Sequence, residues 1–217
     1  MIKFFISILS IILSIGYGIA FYEYGVLDFH SDRLQYFIGG FVAFMPFWFM
    51  WLKKVTFYST FEHELTHLIV GLLFLKIPLH FEVTRHEGGL TGMYGGNFII
   101  TLAPYFLPTF ALLLMPLYLV ISDEFQLYFL AIFGVIISYH IFSTIQEFSL
   151  QQPDIYTTGK VFSIIFLIFT NIFFYGYIIM FIEGGFSFGG DFLRQGIQNS
   201  YQIISHYVHF TINLINK

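Results

Sequence analysis

Six apolar stretches run through this chain, at 2–22, 34–52, 56–75, 98–121, 126–148 and 161–182. Each is about as long as a helix that crosses the hydrocarbon core of a bilayer, roughly 17–25 residues. Charged side chains are only 10% of the 217 residues, against about 25% in soluble domains. The chain therefore cannot coat a globular surface with solvated groups. Its apolar content of 57% also excludes disorder. The expected class is an all-α polytopic membrane protein: integral, multi-pass, with about six transmembrane helices in a single transmembrane domain over 1–217. These six stretches are not expected to be strands, because an open strand in lipid leaves its backbone unpaired and a barrel strand would alternate polar with apolar residues.

The chain contains no Cys, so disulfides, thiolate ligands and thiol nucleophiles drop out. Nine basic residues in a chain of net charge −4 leave no basic surface for nucleic acid. The lipid bilayer is the expected partner. The first stretch reads as a retained helix, because its apolar run is long and no small-residue cleavage site closes it. Lys53 and Lys54 favour a cytoplasmic second loop. The Gly-rich stretch 183–191 reads as a linker or tight loop. Beyond it, 190–217 carries Gln195, Gln198, Asn199, His206 and His209 among apolar residues and reads as an interfacial helix.

The third stretch carries the chemistry. It contains Phe61-Glu62-His63-Glu64-Leu65-Thr66-His67, with four ionisable residues in six positions. Each is costly at bilayer depth, which makes a functional role the default. The spacing is H-E-x-x-H. On a helix, positions i and i+4 lie about 40° apart in azimuth, so His63 and His67 face the same way and can ligate one metal. Zn²⁺ suits two imidazoles and a carboxylate with one position left for water. Glu64 lies on an adjoining face and can take the proton of a metal-bound water, whose pKa falls to about 7. Glu62 points away from that face and is expected to pair elsewhere.

A third ligand must come from another part of the chain. Asp154 follows Pro153, which can break a helix and present the carboxylate; the same Asp also suits the first turn of the next helix. His140 and Glu147 are rivals, seven positions apart on one face of the fifth stretch.

An apolar helix with H-E-x-x-H and a distal Asp resembles the site-2 protease family of intramembrane zinc metalloproteases, over 63–108 and 140–159. The resemblance implies a Gly-containing hairpin-like segment after the H-E-x-x-H helix. The stretch 77–97 fits it, with Phe81-Glu82-Val83-Thr84 and Leu90-Thr91-Gly92-Met93-Tyr94 flanking Gly88-Gly89. His80 and His86 in that stretch read as loop residues. Asn97 to Tyr105 resembles the Asn/Pro-containing helix that follows, and Pro104, Pro108 and Pro116 are expected to bend it. By the same resemblance Asp154 completes the site and 34–182 is the catalytic core. One departure is plain: the family's Leu-Asp-Gly signature is replaced by Pro153-Asp154-Ile155. The implied activity is hydrolysis of peptide bonds in membrane-protein substrates, with His63, His67 and Asp154 holding zinc and Glu64 as general base. The alternative is a non-proteolytic metal-binding membrane protein, either a metal-handling component or an inactive relative that serves as a binding partner. An intact Glu64 favours the enzyme, since a binding site alone has no use for it.

Overall fold

The computed structural model describes residues 1–24, 28–84 and 89–215. His86 and Gly88 lie outside the described residues. The chain divides into two compact units, Phe29–Lys160 and the pair Met1–Asp28 with Val161–Lys217. Residues 161–182, taken from sequence with the catalytic core, therefore cluster with the N-terminal helix.

The terminal unit holds α1 (Ile2–Tyr24) and α8 (Lys160–Ile215), the latter made of two helical halves joined at Gly184–Gly185. Tyr17 and Ala20 of α1 pack with Met180 and Phe192 of α8 in its core. Gly185, with φ 66 and ψ −156, bends α8 in a conformation open to glycine and strained for other residues. Gly184 is non-helical too, with φ −141 and ψ 21, so the linker or tight loop expected in 183–191 falls at this break. Beyond it the chain turns back, with the Phe192 ring against Gly176 and Gly189 against Tyr177.

The central unit begins with α2 (Asp32–Met50), capped by the Ser31 side chain, which accepts the Leu34 N–H at 3.2 Å. Helix α3 (Thr56–Leu73) follows. It ends where Leu75 adopts φ 55 and the Lys76 N–H returns to the Gly71 carbonyl. This closure turns the chain into β1 (Pro78–Val83) and β2 (Gly89–Met93), an antiparallel pair with Phe81 opposite Thr91. Asn97 then caps α4 (Phe98–Leu102), its Oδ1 accepting the Ile99 and Ile100 N–H groups at 2.9 and 3.0 Å. After Pro104 and Pro108 comes α5 (Thr109–Leu114). The long helix α6 (Asp123–Glu147) and the short α7 (Pro153–Thr158) complete the unit.

Helix α6 lies along α2. A Cβ on Gly40 would run into the Ala131 carbonyl, and one on Gly134 into the Phe37 carbonyl. The two backbones meet as closely as small residues permit, which is the usual means of packing helices in lipid.

Among the described residues, three helices are long and apolar enough to cross a membrane: Ile2–Glu23, Asp123–Glu147 and Lys160–Leu214. A fourth is added if the bent pair Phe98–Tyr105 and Thr109–Leu119 counts as one span. This corrects the expected six. The stretch 98–121 is broken by 91° at its prolines, which remove N–H donors and clash with the preceding turn. The stretches 34–52 and 56–75 do form helices, yet α2 opens on Asp32, Arg33 and Gln35, and α3 holds its four ionisable residues mid-helix. Their polar content, not their length, sets them apart from the helices apolar enough to cross a membrane. The overall reading that stands is a mainly helical chain compatible with a membrane protein.

Candidate metal centre

The helical repeat of α3 stacks the two imidazoles of H-E-x-x-H. Their ring centroids are 4.9 Å apart and their Nε2 atoms 3.2 Å apart. Asp154 arrives from a different element. Gln152 is extended, with φ −57 and ψ 135, and Pro153 starts α7 so that Asp154 sits in its first turn. Ile155 and Thr158 are buried and seat this short helix, which packs on α4. The Asp154 Oδ2 lies 3.2 Å from His63 Nε2 and 3.4 Å from His67 Nε2.

These three atoms form a nearly equilateral triangle. An ion with tetrahedral bonds of 2.0–2.1 Å would separate its donor atoms by about 3.3–3.4 Å, so the residues present fit a zinc-sized ion. Proton placement agrees. His67 Nδ1 is 2.9 Å from the Ile100 carbonyl oxygen, which can only accept, so Nδ1 carries the hydrogen. Nε2 is then the nitrogen that holds the lone pair whenever the ring is neutral, and it is the atom that faces Asp154 and His63. An acceptor for the N–H of the second nitrogen, which fixes the tautomer, is the usual support of a ligating imidazole. The Tyr105 hydroxyl donates to Asp154 Oδ2 at 3.2 Å, and its ring stands edge-on to His63. Burial works against charge on Asp154, but its hydrogen bonds to His63 and His67 outweigh it and hold the carboxyl below the usual range. The imidazoles are each 12% exposed and the Asp154 side chain 24%, so the cluster sits below the protein surface with a path to its edge.

Glu64 stands beside this triangle and is not a vertex of it. It is buried, and its side chain lies against Gly89 of β2, where a Cβ would meet Glu64 Cγ at 2.5 Å. The Thr91 hydroxyl donates to the Glu64 carbonyl at 3.1 Å. The hairpin is thus fastened to the H-E-x-x-H helix at Glu64. Among the described residues the Glu64 carboxylate has no hydrogen bond or ion pair.

The other sequence candidates lie elsewhere. His140 Nδ1 is 2.9 Å from Glu62 Oε1, and both side chains are almost wholly buried. Glu147 Oε1 accepts from Ser59 Oγ at 2.7 Å and Thr60 Oγ1 at 3.3 Å. His80 lies across Gly92 within the hairpin. His206 and His209 belong to α8 in the other unit. Two contributors were not singled out from sequence, the Tyr105 hydroxyl and the Ile100 carbonyl. The available signal was Asn97, whose cap starts α4 and so sets the direction of Ile100. Comparison with known families, with curated proteins and with solved structures finds no match to this chain.

Proposed function

We propose that this chain is a multi-pass, membrane-embedded metallopeptidase that cleaves other membrane proteins, with zinc held by His63, His67 and Asp154. The observation that carries the reading is the donor triangle of 3.2, 3.2 and 3.4 Å edges beside an uncommitted carboxylate. Two imidazoles and one carboxylate are a zinc donor set with a fourth position left for substrate or water. When bound, zinc supplies Lewis acidity that polarises a carbonyl and makes water a stronger acid.

The chain's own groups do the rest. Glu64, which has no side-chain hydrogen bond to a described residue, takes a proton at its carboxylate and returns it to the departing amine. Ile100 fixes the His67 tautomer, and Tyr105 steadies the Asp154 oxygen that faces the imidazoles. A substrate helix must unwind locally to be cut, because its amides are otherwise shielded by their own hydrogen bonds. The resemblance to site-2 proteases adds the same substrate class. It rests on H-E-x-x-H, the distal Asp and the intervening hairpin.

The test is metal content and cleavage together. Detergent-purified protein is expected to hold one zinc per chain by elemental analysis and to cut a synthetic transmembrane peptide. The His63→Ala/His67→Ala variant is expected to hold none. Equal metal in the two proteins would remove the site. Bound zinc without cleavage by the wild type would leave a metal-binding membrane protein that is not a peptidase.

A further inference from the structure

The two imidazoles of the cluster are supported unequally. His67 Nδ1 has the Ile100 carbonyl at 2.9 Å. His63 points Nε2 at Asp154 and His67, and its Nδ1 has no hydrogen bond to a described residue. A ligating imidazole ordinarily donates that second N–H to a carboxylate, a carbonyl or water.

Beside His63 lies a small cavity of about 10 Å³, room for about one water. Its walls include Glu62, Ser143, Thr144 and Glu147. Glu62 is 3% exposed. One of its oxygens is bound by His140, and the other, Oε2, is buried with no hydrogen-bond partner among the described residues. Glu147 is held at its Oε1 by the Ser59 and Thr60 hydroxyls. The His63 ring, the polar side chains of Ser143, Thr144 and Glu147, and Glu62 with its unpartnered buried oxygen thus border one water-sized space.

We propose that a single buried water in this cavity joins His63 to Glu62 and Glu147, so that α6 positions the His63 ring from behind. The water accepts from His63 Nδ1 and donates to the two carboxylates, three bonds, the usual number for buried water. Glu62 and Glu147 are positioning residues here, and His140 anchors Glu62. The inference rests on the metal centre proposed above.

The experiment uses the full chain in detergent, with zinc affinity read by chelator competition and the visible absorption of the Co²⁺-loaded protein as a report on ligand geometry. Ser143→Val brings methyl groups to the cavity wall and leaves both carboxylates in place. It is expected to weaken zinc binding about 10–100-fold, as loss of an outer-shell partner does, and to shift the Co²⁺ bands. Glu147→Gln and Glu62→Gln are expected to act in the same direction. Their double variant should lose less than the product of the single effects, because both act through one water. Unchanged affinity and spectrum in Ser143→Val and Glu147→Gln, or fully multiplicative losses in the double variant, would overturn the shared water. If Ser143→Val does not fold, the two Gln variants decide alone. A wild type that binds neither ion defeats the metal centre itself; a wild type that binds both while the variants stay silent defeats only this inference.

Discussion

In the terminal unit, polar side chains answer mostly to their own helix. Ser14 donates to the Ser10 carbonyl, Thr170 to that of Phe166 and Ser200 to that of Gly196. In the central unit they answer to one another across elements. Glu62 meets His140, Glu147 meets Ser59, Thr66 meets Thr109 at 2.6 Å, and Asp154 meets Tyr105. A hydroxyl bonded back to its own helix says nothing about which helices meet. A cross-helix bond does, because breaking it strands a polar group where no water replaces it. The terminal unit is therefore held by shape and apolar contact, and the central unit by shape plus a specific set of polar pairs.

The comparison makes its largest prediction at Asp154. If the cross-element cluster is a metal centre, Asp154→Ala should leave purified protein without zinc and without peptidase activity. If Asp154 only starts α7, the same change should cost about 1 kcal/mol of helix stability and keep the metal. Elemental analysis separates the two. Next in size is Glu64→Gln, which keeps the shape of the side chain and removes the base. Zinc should stay at one per chain while cleavage falls about 10²–10⁴-fold. Cleavage at the wild-type rate would end the role given to Glu64.

Packing gives a third prediction, which sets the units against each other directly. A Cβ on Gly134 in α6 would strike backbone, the Phe37 carbonyl of α2. A Cβ on Gly176 in α8 would meet the tip of the Phe192 ring at 2.5 Å. Backbone in a tight crossing cannot step aside, whereas a ring can tilt. Gly134→Ala should then destabilise by about 1–3 kcal/mol, the range for overpacking, and Gly176→Ala by less. Unfolding in mixed detergent measures both, and a larger loss at Gly176 would contradict the reading of the α2–α6 crossing.

The same difference explains what could be read from sequence. The stretch 2–22 anticipates α1 to within two residues, and 126–148 anticipates α6 to within three. The paired faces of His63 and His67 follow from helical periodicity, and that periodicity also sends Glu62 to another partner. The glycines at 184–185 suggest a loop in sequence, and they are where α8 breaks, both with non-helical backbone. The count of six spans failed where hydropathy treats a proline-broken or polar helix as one apolar run. Tyr105 and the Ile100 carbonyl could not be found by spacing, since they reach the cluster through tertiary packing of α4 and its following turn on α3. Asp154 was one of three candidates from local sequence, and only the turn at Gln152 and Pro153 brings it to the imidazoles.

The smallest expected effect lies at one exception within the terminal unit. Asn199 is buried and reaches across to α1, where its Nδ2 is 3.4 Å from both the Gly16 carbonyl and Glu23 Oε2. Both contacts are longer than the 2.7–3.2 Å of ordinary N–H···O bonds. The Gly16 carbonyl lies within α1, whose own backbone ladder supplies its acceptors with partners, and Glu23 is exposed, so neither is stranded when Asn199 is lost. Hydrogen bonds between membrane helices average only about 0.6 kcal/mol even when well made. Asn199→Leu should therefore change stability by less than about 1 kcal/mol and leave zinc content untouched. A loss of several kcal/mol would mean that the terminal unit, too, depends on a polar pair for its arrangement, and the contrast between the units would fail at its weakest contact.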